Sequence, residues 1–225
     1  CVACGRSLKK SYQQGYCFPC TQALAQCDLC IVKPELCHYH LGTCREPKWG
    51  EEHCLQDHIV YLSLTSGVKV GITRKKNIPY RWIDQGAVEA IPIFEVNTRR
   101  VSGLVETLVN ELVNDRTDWR KMLKNDIAHQ DLSDQRDEIF DQTESAIEQI
   151  LDDVPEAKIT HLESEEIVTI NYPLSDPAPK LKSLNFDKTP LIEGKLLGIK
   201  GQYLVFEEGV LNVRKFSGHQ IKVKL

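Results

Sequence analysis

No cysteine occurs after Cys54 in this chain of 225 residues, so neither disulfides nor thiolate metal sites can contribute to its last three-quarters. No apolar run approaches the roughly 18 residues of a membrane-spanning helix, which excludes an α-helical membrane protein and gives the expectation of a cytoplasmic one. A large excess of charge is also missing. The net charge of −4 and pI near 6.0 provide no chain-wide attraction to nucleic acid, so any such contact must rest on local patches. The chain opens on Cys1 and not on Met, which leaves room for upstream residues, a targeting peptide included. Its 41% hydrophobic content suffices for globular packing, and the uneven distribution of motifs favours several small units over one large domain.

All nine cysteines lie between Cys1 and Cys54. An odd count fits metal ligation better than a disulfide framework. Cys1-Val-Ala-Cys4 and Cys17-Phe-Pro-Cys20 are two CxxC knuckles twelve residues apart, a spacing that closes a tetrahedral four-cysteine zinc site. The following stretch offers nine further donors, too many for one four-coordinate ion. We expect a second structural zinc on Cys30, Cys37, Cys44 and Cys54, with Cys27, His40 and His58 in reserve. The turn formers Pro34, Gly42, Pro47 and Gly50 could fold this loop around an ion. A cross-braced arrangement, in which the first and third CxxC pairs share an ion, is the rival.

The runs Ile59–Leu64 and Val68–Thr73 meet at Ser66-Gly67, which reads as a β-hairpin. A short helix is expected over Ile78–Gln85, capped by Asn77 and stopped by Gly86. The run Val88–Val96 reads as a third strand whose Pro92 suits an edge or a bulge. From Arg99 to Asn114 apolar residues recur at three- and four-residue steps, which specifies a helix with one buried face.

This order, with Tyr61 on the first strand and Lys69-Val70-Gly71 on the second, resembles the GIY-YIG nuclease module: a small three-stranded antiparallel sheet with flanking helices. The resemblance implies Tyr61 at the reacting phosphate, Arg81 as its cationic contact, Glu106 as the ligand of Mg²⁺ or Mn²⁺, and Gly71 as the glycine of the second tripeptide. Ile59 replaces the family's first glycine, and Lys69 stands where its second tyrosine would be. The late asparagine has three candidates, Asn110, Asn114 and Asn125. The chemistry is coherent: an arginine forks onto phosphate, a carboxylate holds a divalent ion, and Tyr61, or Lys69 with a depressed pKa, assists proton transfer. A site that binds without cutting is the alternative. Cys30–His38, Gly42–Gly50, Val60–Leu62, Lys69–Arg74, Arg81–Ala87 and Asp118-Trp119-Arg120 are together similar to a bacterial family of unknown function, in which a cysteine-rich segment precedes a GIY-YIG-like core.

Asp131–Asp153 is strongly acidic and sets Ile139, Phe140, Ile147, Ile150 and Leu151 on one helical face. We expect a solvated acidic linker helix. The sharper alternative is a nucleic-acid mimic covering Arg74-Lys75-Lys76. Four prolines between Tyr172 and Pro190 mark a linker. Leu191–Gly198, Gln202–Glu207, Val210–Phe216 and His219–Leu225 alternate between glycine turns as in a small SH3-like or OB-like barrel, with Ile167–Asn171 as a further strand. Lysines 195, 200, 215, 222 and 224 with Arg214 make that module locally basic. The expectation is therefore an α+β zinc protein divided into a Cys-rich segment (1–57), a GIY-YIG-like core (58–128), an acidic helical segment (129–165) and a C-terminal β-module (166–225). It would bind nucleic acid, DNA or RNA, and cut it with a divalent metal. The rival class is a scaffold that binds protein through the C-terminal module.

Overall fold

The computed structural model describes residues 1–113, 118–128, 130–174 and 181–224. The Cys-rich segment contains two short helices, α1 (Phe18–Ala23) and α2 (Pro47–His53), joined by 3₁₀ turns. Both helices carry proline in the first turn, where its missing N–H has no intrahelical acceptor.

Two strands follow, β1 (His58–Leu64) and β2 (Val68–Arg74), in register with Tyr61 opposite Gly71 and Ser63 opposite Lys69. The hairpin expected from the alternation is present, one residue longer at its open end. After it come α3 (Tyr80–Gln85), β3 (Glu89–Val96), α4 (Arg99–Leu112), α5 (Trp119–Leu123), α6 (Leu132–Asp153), β4 (Ile159–His161) and β5 (Val168–Thr169). Asn77 is not the cap of α3. It ends a 3₁₀ turn, and the helix starts only beyond Pro79.

The strands form one sheet in the order β2-β1-β3-β4, with β5 also paired to β3. All seven residues of β1 are buried, as a central strand covered on both faces must be. One face carries Val60, Leu62 and Leu64 and receives α4 and α6; the other carries Ile59 and Tyr61 and receives Trp82 of α3. The register of β3 shifts between Pro92 and Phe94. Pro92 thus occupies a bulge, beyond the residues that β5 pairs and short of those that β4 pairs.

The acidic helix is not a solvated linker. Leu132, Ile139, Thr143 and Ile147 form a buried stripe along α6, and Phe140 packs edge-on to Phe94 of β3 at 5.0 Å. Leu151, expected on this face, is 38% exposed. Arg136 lies on the stripe because its guanidinium is satisfied by the Glu165 carbonyl and the Asp137 carboxylate. Lys75, within the basic run, pairs with Glu95 of β3 at 2.8 Å.

The Cys-rich segment docks onto α4. Gly103 lets the Pro34–Leu36 turn approach so closely that a Cβ there would lie 2.6 Å from Pro34 Cβ. Arg99 donates to the carbonyls of Ile31 (2.7 Å) and Cys30 (3.4 Å), and its own N–H reaches the Cys54 carbonyl at 2.8 Å.

At the C-terminus, β6 (Leu196–Lys200), β7 (Tyr203–Phe206) and β8 (Gly209–Asn212) form a three-stranded meander. This corrects the expected barrel, since three strands cannot close. The fourth run, described through residue 224, is not a strand, and its Ile221 and Val223 are exposed. The Ile167–Asn171 run supplies β5 to the main sheet instead. Val205 and Val210 pack on Met122 and Leu123 of α5. Pro177 and Pro179 of the expected linker lie outside the described residues.

Candidate functional site

Cys1, Cys4, Cys17 and Cys20 bring their four sulfurs within 4.8 Å of one another. The Cys4 and Cys17 sulfurs are 3.7 Å apart. Thiolates at the corners of a tetrahedron with Zn–S near 2.3 Å stand about 3.8 Å apart, so the donor set and its spacing fit zinc. An N–H from Arg6 holds the Cys4 thiol below its ordinary range, while bonding to Cys17 pushes Cys20 up to about 11. Four crowded thiols resist joint ionisation unless a cation compensates them, and a dication reverses that sign. This cluster can hold a metal ion such as zinc. The rival cross-braced pairing is not what the fold assembles, because Cys27 and Cys30 stand outside it.

The second set is arranged around Cys37. Its thiol bonds to both Cys30 and Cys54, which holds Cys37 well below the usual thiol range and raises the other two. Cys44 lines the same cavity of about 10 Å³, as do Asp28 and His38. Asp28, Cys30 and His38 also lie within 4.8 Å of one another. Yet Asp28 is already engaged by the Leu29 N–H (2.6 Å), Arg45 (2.7 Å) and His38 (3.4 Å), and the other His38 nitrogen bonds Thr43 at 2.7 Å. The reserve ligands fall outside both groups. Cys27 is buried, with its thiol pushed up by that burial. His40 is exposed. His58 begins β1, bonds the Gln56 carbonyl through Nδ1 at 2.6 Å, and is pushed down to about 4 by burial.

On the α3 side of the sheet the elements converge on Tyr61. Its hydroxyl donates to Gln85 Oε1 at 2.8 Å, and the Arg81 guanidinium lies within hydrogen-bonding reach. Burial pushes the phenol up to about 12 against the pull of Arg81, with the Glu106 carboxylate of α4 adding to the rise. Gly71 is glycine because the ring lies over it: a Cβ would sit 2.7 Å from the Tyr61 hydroxyl. Lys69, two residues from Gly71 along β2, starts from the same face. Lys69, Arg81, Gln85 and Glu106 are half-buried, whereas Tyr61 is fully buried. Nearby, Ser63 Oγ and Trp82 Nε1 are buried without a hydrogen-bond partner among the described residues.

Gln85 was not among the expected residues, although it stands one helical turn beyond Arg81 and so shares its face. Of the candidate asparagines, Asn110 is exposed on α4, Asn125 binds Lys200, and Asn114 lies outside the described residues. Lys200 is itself 1% exposed, so it adds nothing to a basic surface on the C-terminal module.

No curated protein and no solved structure matches the chain. A family model does: over residues 1–221 the chain matches, and therefore belongs to, the family described as protein of unknown function DUF2797.

Proposed function

We propose that the chain is a zinc-stabilised nucleic-acid-binding protein whose GIY-YIG-like centre holds a phosphodiester. The observation that carries this reading is the gathering around one buried hydroxyl of Tyr61 from β1, Arg81 and Gln85 from α3, and Glu106 from α4. A half-buried guanidinium offers phosphate a two-pronged donor at the edge of a low-dielectric region. Tyr61, raised to about 12 and wholly buried, keeps its proton at neutral pH, so its part is to orient Arg81 and Gln85. Glu106 is the residue that would hold Mg²⁺ or Mn²⁺, an ion that would neutralise phosphate charge and acidify a bound water. The burial of Tyr61 also favours a second reading, binding without cleavage.

Two structural zincs belong to this proposal, one on Cys1, Cys4, Cys17 and Cys20 and one on Cys30, Cys37, Cys44 and Cys54. For the second, the engaged Asp28 and His38 leave the cysteines as the free donors, with the two polar groups bracing the loop around them.

Fluorescence anisotropy with labelled DNA and RNA, titrated with salt, tests the reading. Binding should weaken steeply as salt rises. Arg81→Ala should lower affinity about tenfold, as loss of a charge-assisted contact does. Glu106→Gln should leave binding nearly intact and abolish any Mg²⁺- or Mn²⁺-dependent cutting. Lys69→Tyr, which restores the family's residue, should speed cutting if cutting occurs. Binding without cleavage by wild type and Lys69→Tyr selects the second reading. Absence of binding refutes both and returns the chain to the scaffold class.

A further inference from the structure

Trp119 and Arg120 serve neither the cysteine clusters nor the Tyr61 centre. The indole opens α5 and lies nearly parallel to the Tyr203 ring of β7, with centroids 5.8 Å apart and an 11° interplanar angle. The Arg120 guanidinium carbon is 4.4 Å from the centroid of the Trp119 ring. Met122 and Leu123, 2% and 1% exposed, form the centre of the packing of α5 against the C-terminal sheet, and Trp119 and Tyr203 pack at its margin and remain half-buried. Arg120, Lys121 and Lys124 are exposed, and none has an ion-pair partner among the described residues. The stack is tied to the hairpin: the Asp118 N–H donates to Ser66 Oγ at 2.7 Å, in the turn between the strands that carry Tyr61 and Lys69.

We propose that Trp119 and Arg120 form a stacking platform for an unpaired base of a single-stranded nucleic acid whose backbone runs along the hairpin to Arg81. This rests on the nucleic-acid reading above and adds to it the class of strand. The parallel contact with Tyr203 restrains the indole, so little side-chain freedom remains to be lost on binding. Arg120, free at its outer end, can lift and close over an inserted base, and guanidinium and indole both stack on π-faces. Ser66 and Tyr61 are five residues apart, about 17 Å of strand at about 3.3 Å per residue, which separates the platform from the phosphate site by more than one nucleotide. Duplex bases already stack on each other and present only edges, so the platform discriminates in favour of single strands.

The test uses the full zinc-loaded chain with labelled oligothymidylate and a duplex of equal length. Trp119→Leu should weaken oligothymidylate binding by about fivefold or more and leave duplex binding within about twofold, Trp119→Phe should keep most of the affinity, and Arg81→Ala should weaken both. Arg120→Ala should also reduce oligothymidylate binding selectively. Being exposed, it decides the matter should Trp119→Leu fail to fold. If Arg120→Ala and a folded Trp119→Leu bind oligothymidylate like wild type while Arg81→Ala does not, the platform is refuted and the phosphate site stands. Equal losses on single strand and duplex also overturn it. If wild type binds neither, the nucleic-acid reading falls and takes the platform with it.

Discussion

Replacing Gly103 by alanine sets two effects of known sign against each other. In the interior of α4, alanine is a better helix former than glycine by about 1 kcal/mol, so without tertiary contacts the substitution should stabilise. The added methyl would, however, lie 2.6 Å from Pro34 Cβ and 2.7 Å from the Pro34 carbonyl carbon, with the Glu35 amide nitrogen nearer still. Two of these three atoms are backbone and cannot rotate away, so the Pro34–Leu36 turn must shift, at about 1–3 kcal/mol by analogy with overpacked cores. The net expectation is destabilisation of up to about 2 kcal/mol, measured by urea unfolding of the zinc-loaded protein. Stripping the metal should reverse the sign. With the Cys-rich segment unfolded the obstructing turn is gone, and Gly103→Ala should then exceed its parent by about 1 kcal/mol. A stabilising effect in the zinc-loaded protein would show that the turn does not dock on α4 and would remove the mechanical link between the cysteine clusters and the helix that bears Glu106.

Elemental analysis should find two zincs per chain, and chelation should unfold roughly the first fifty residues, because segments of this kind draw about 10 kcal/mol or more of folding free energy from the ion; disulfides or an absence of metal in protein purified without chelators would overturn this. Lys200 donates to the Met122 carbonyl (2.7 Å) and Asn125 Oδ1 (2.6 Å), and burial pushes its ammonium down to about 8. A folded-state pKa below the unfolded one means that the penalty of burying the charge is fully present below pH 8 and fades as pH rises toward about 10.4, where the unfolded chain still holds the proton. Wild type should therefore gain stability relative to Lys200→Met between pH 8 and 10, by at most about 3 kcal/mol; parallel unfolding curves for the two proteins across that range would show that Lys200 is not buried as described.

The parts of the fold that could be read from the sequence are those whose pattern is local. Period-two alternation on either side of Ser66-Gly67 leaves the hairpin one pairing, since a slip of one residue would turn Tyr61 to the opposite face of the sheet. The four-residue spacing of Val101, Val105 and Val109 does the same for α4. His219–Leu225 shows the limit of such reasoning. It alternates apolar with polar residues, but a strand also needs a neighbour with free backbone groups, and nothing local says which runs will find one. The same holds for Ile167–Asn171, whose partner is β3, more than seventy residues earlier.

The cysteine spacing announced the four-cysteine cluster because a CxxC knuckle is a local turn, whereas the grouping of cysteines around Cys37 depends on 3₁₀ turns whose packing is settled against α4, through Arg99 and Gly103. At the Tyr61 centre the sequence supplied the residue types but not their exposure, and exposure decides the chemistry. A tyrosine on an outer strand would titrate near 10 and be open to a phosphate. Here β3 and α3 close over β1, so the phenol is sealed beneath Trp82 and Gln85 and pushed up to about 12. The Arg81, Gln85, Glu106 and Lys69 side chains, by contrast, are each half-buried. If the centre holds phosphate as proposed, the groups that act on it are those four, with Tyr61 as the fixed point that engages Arg81 and Gln85.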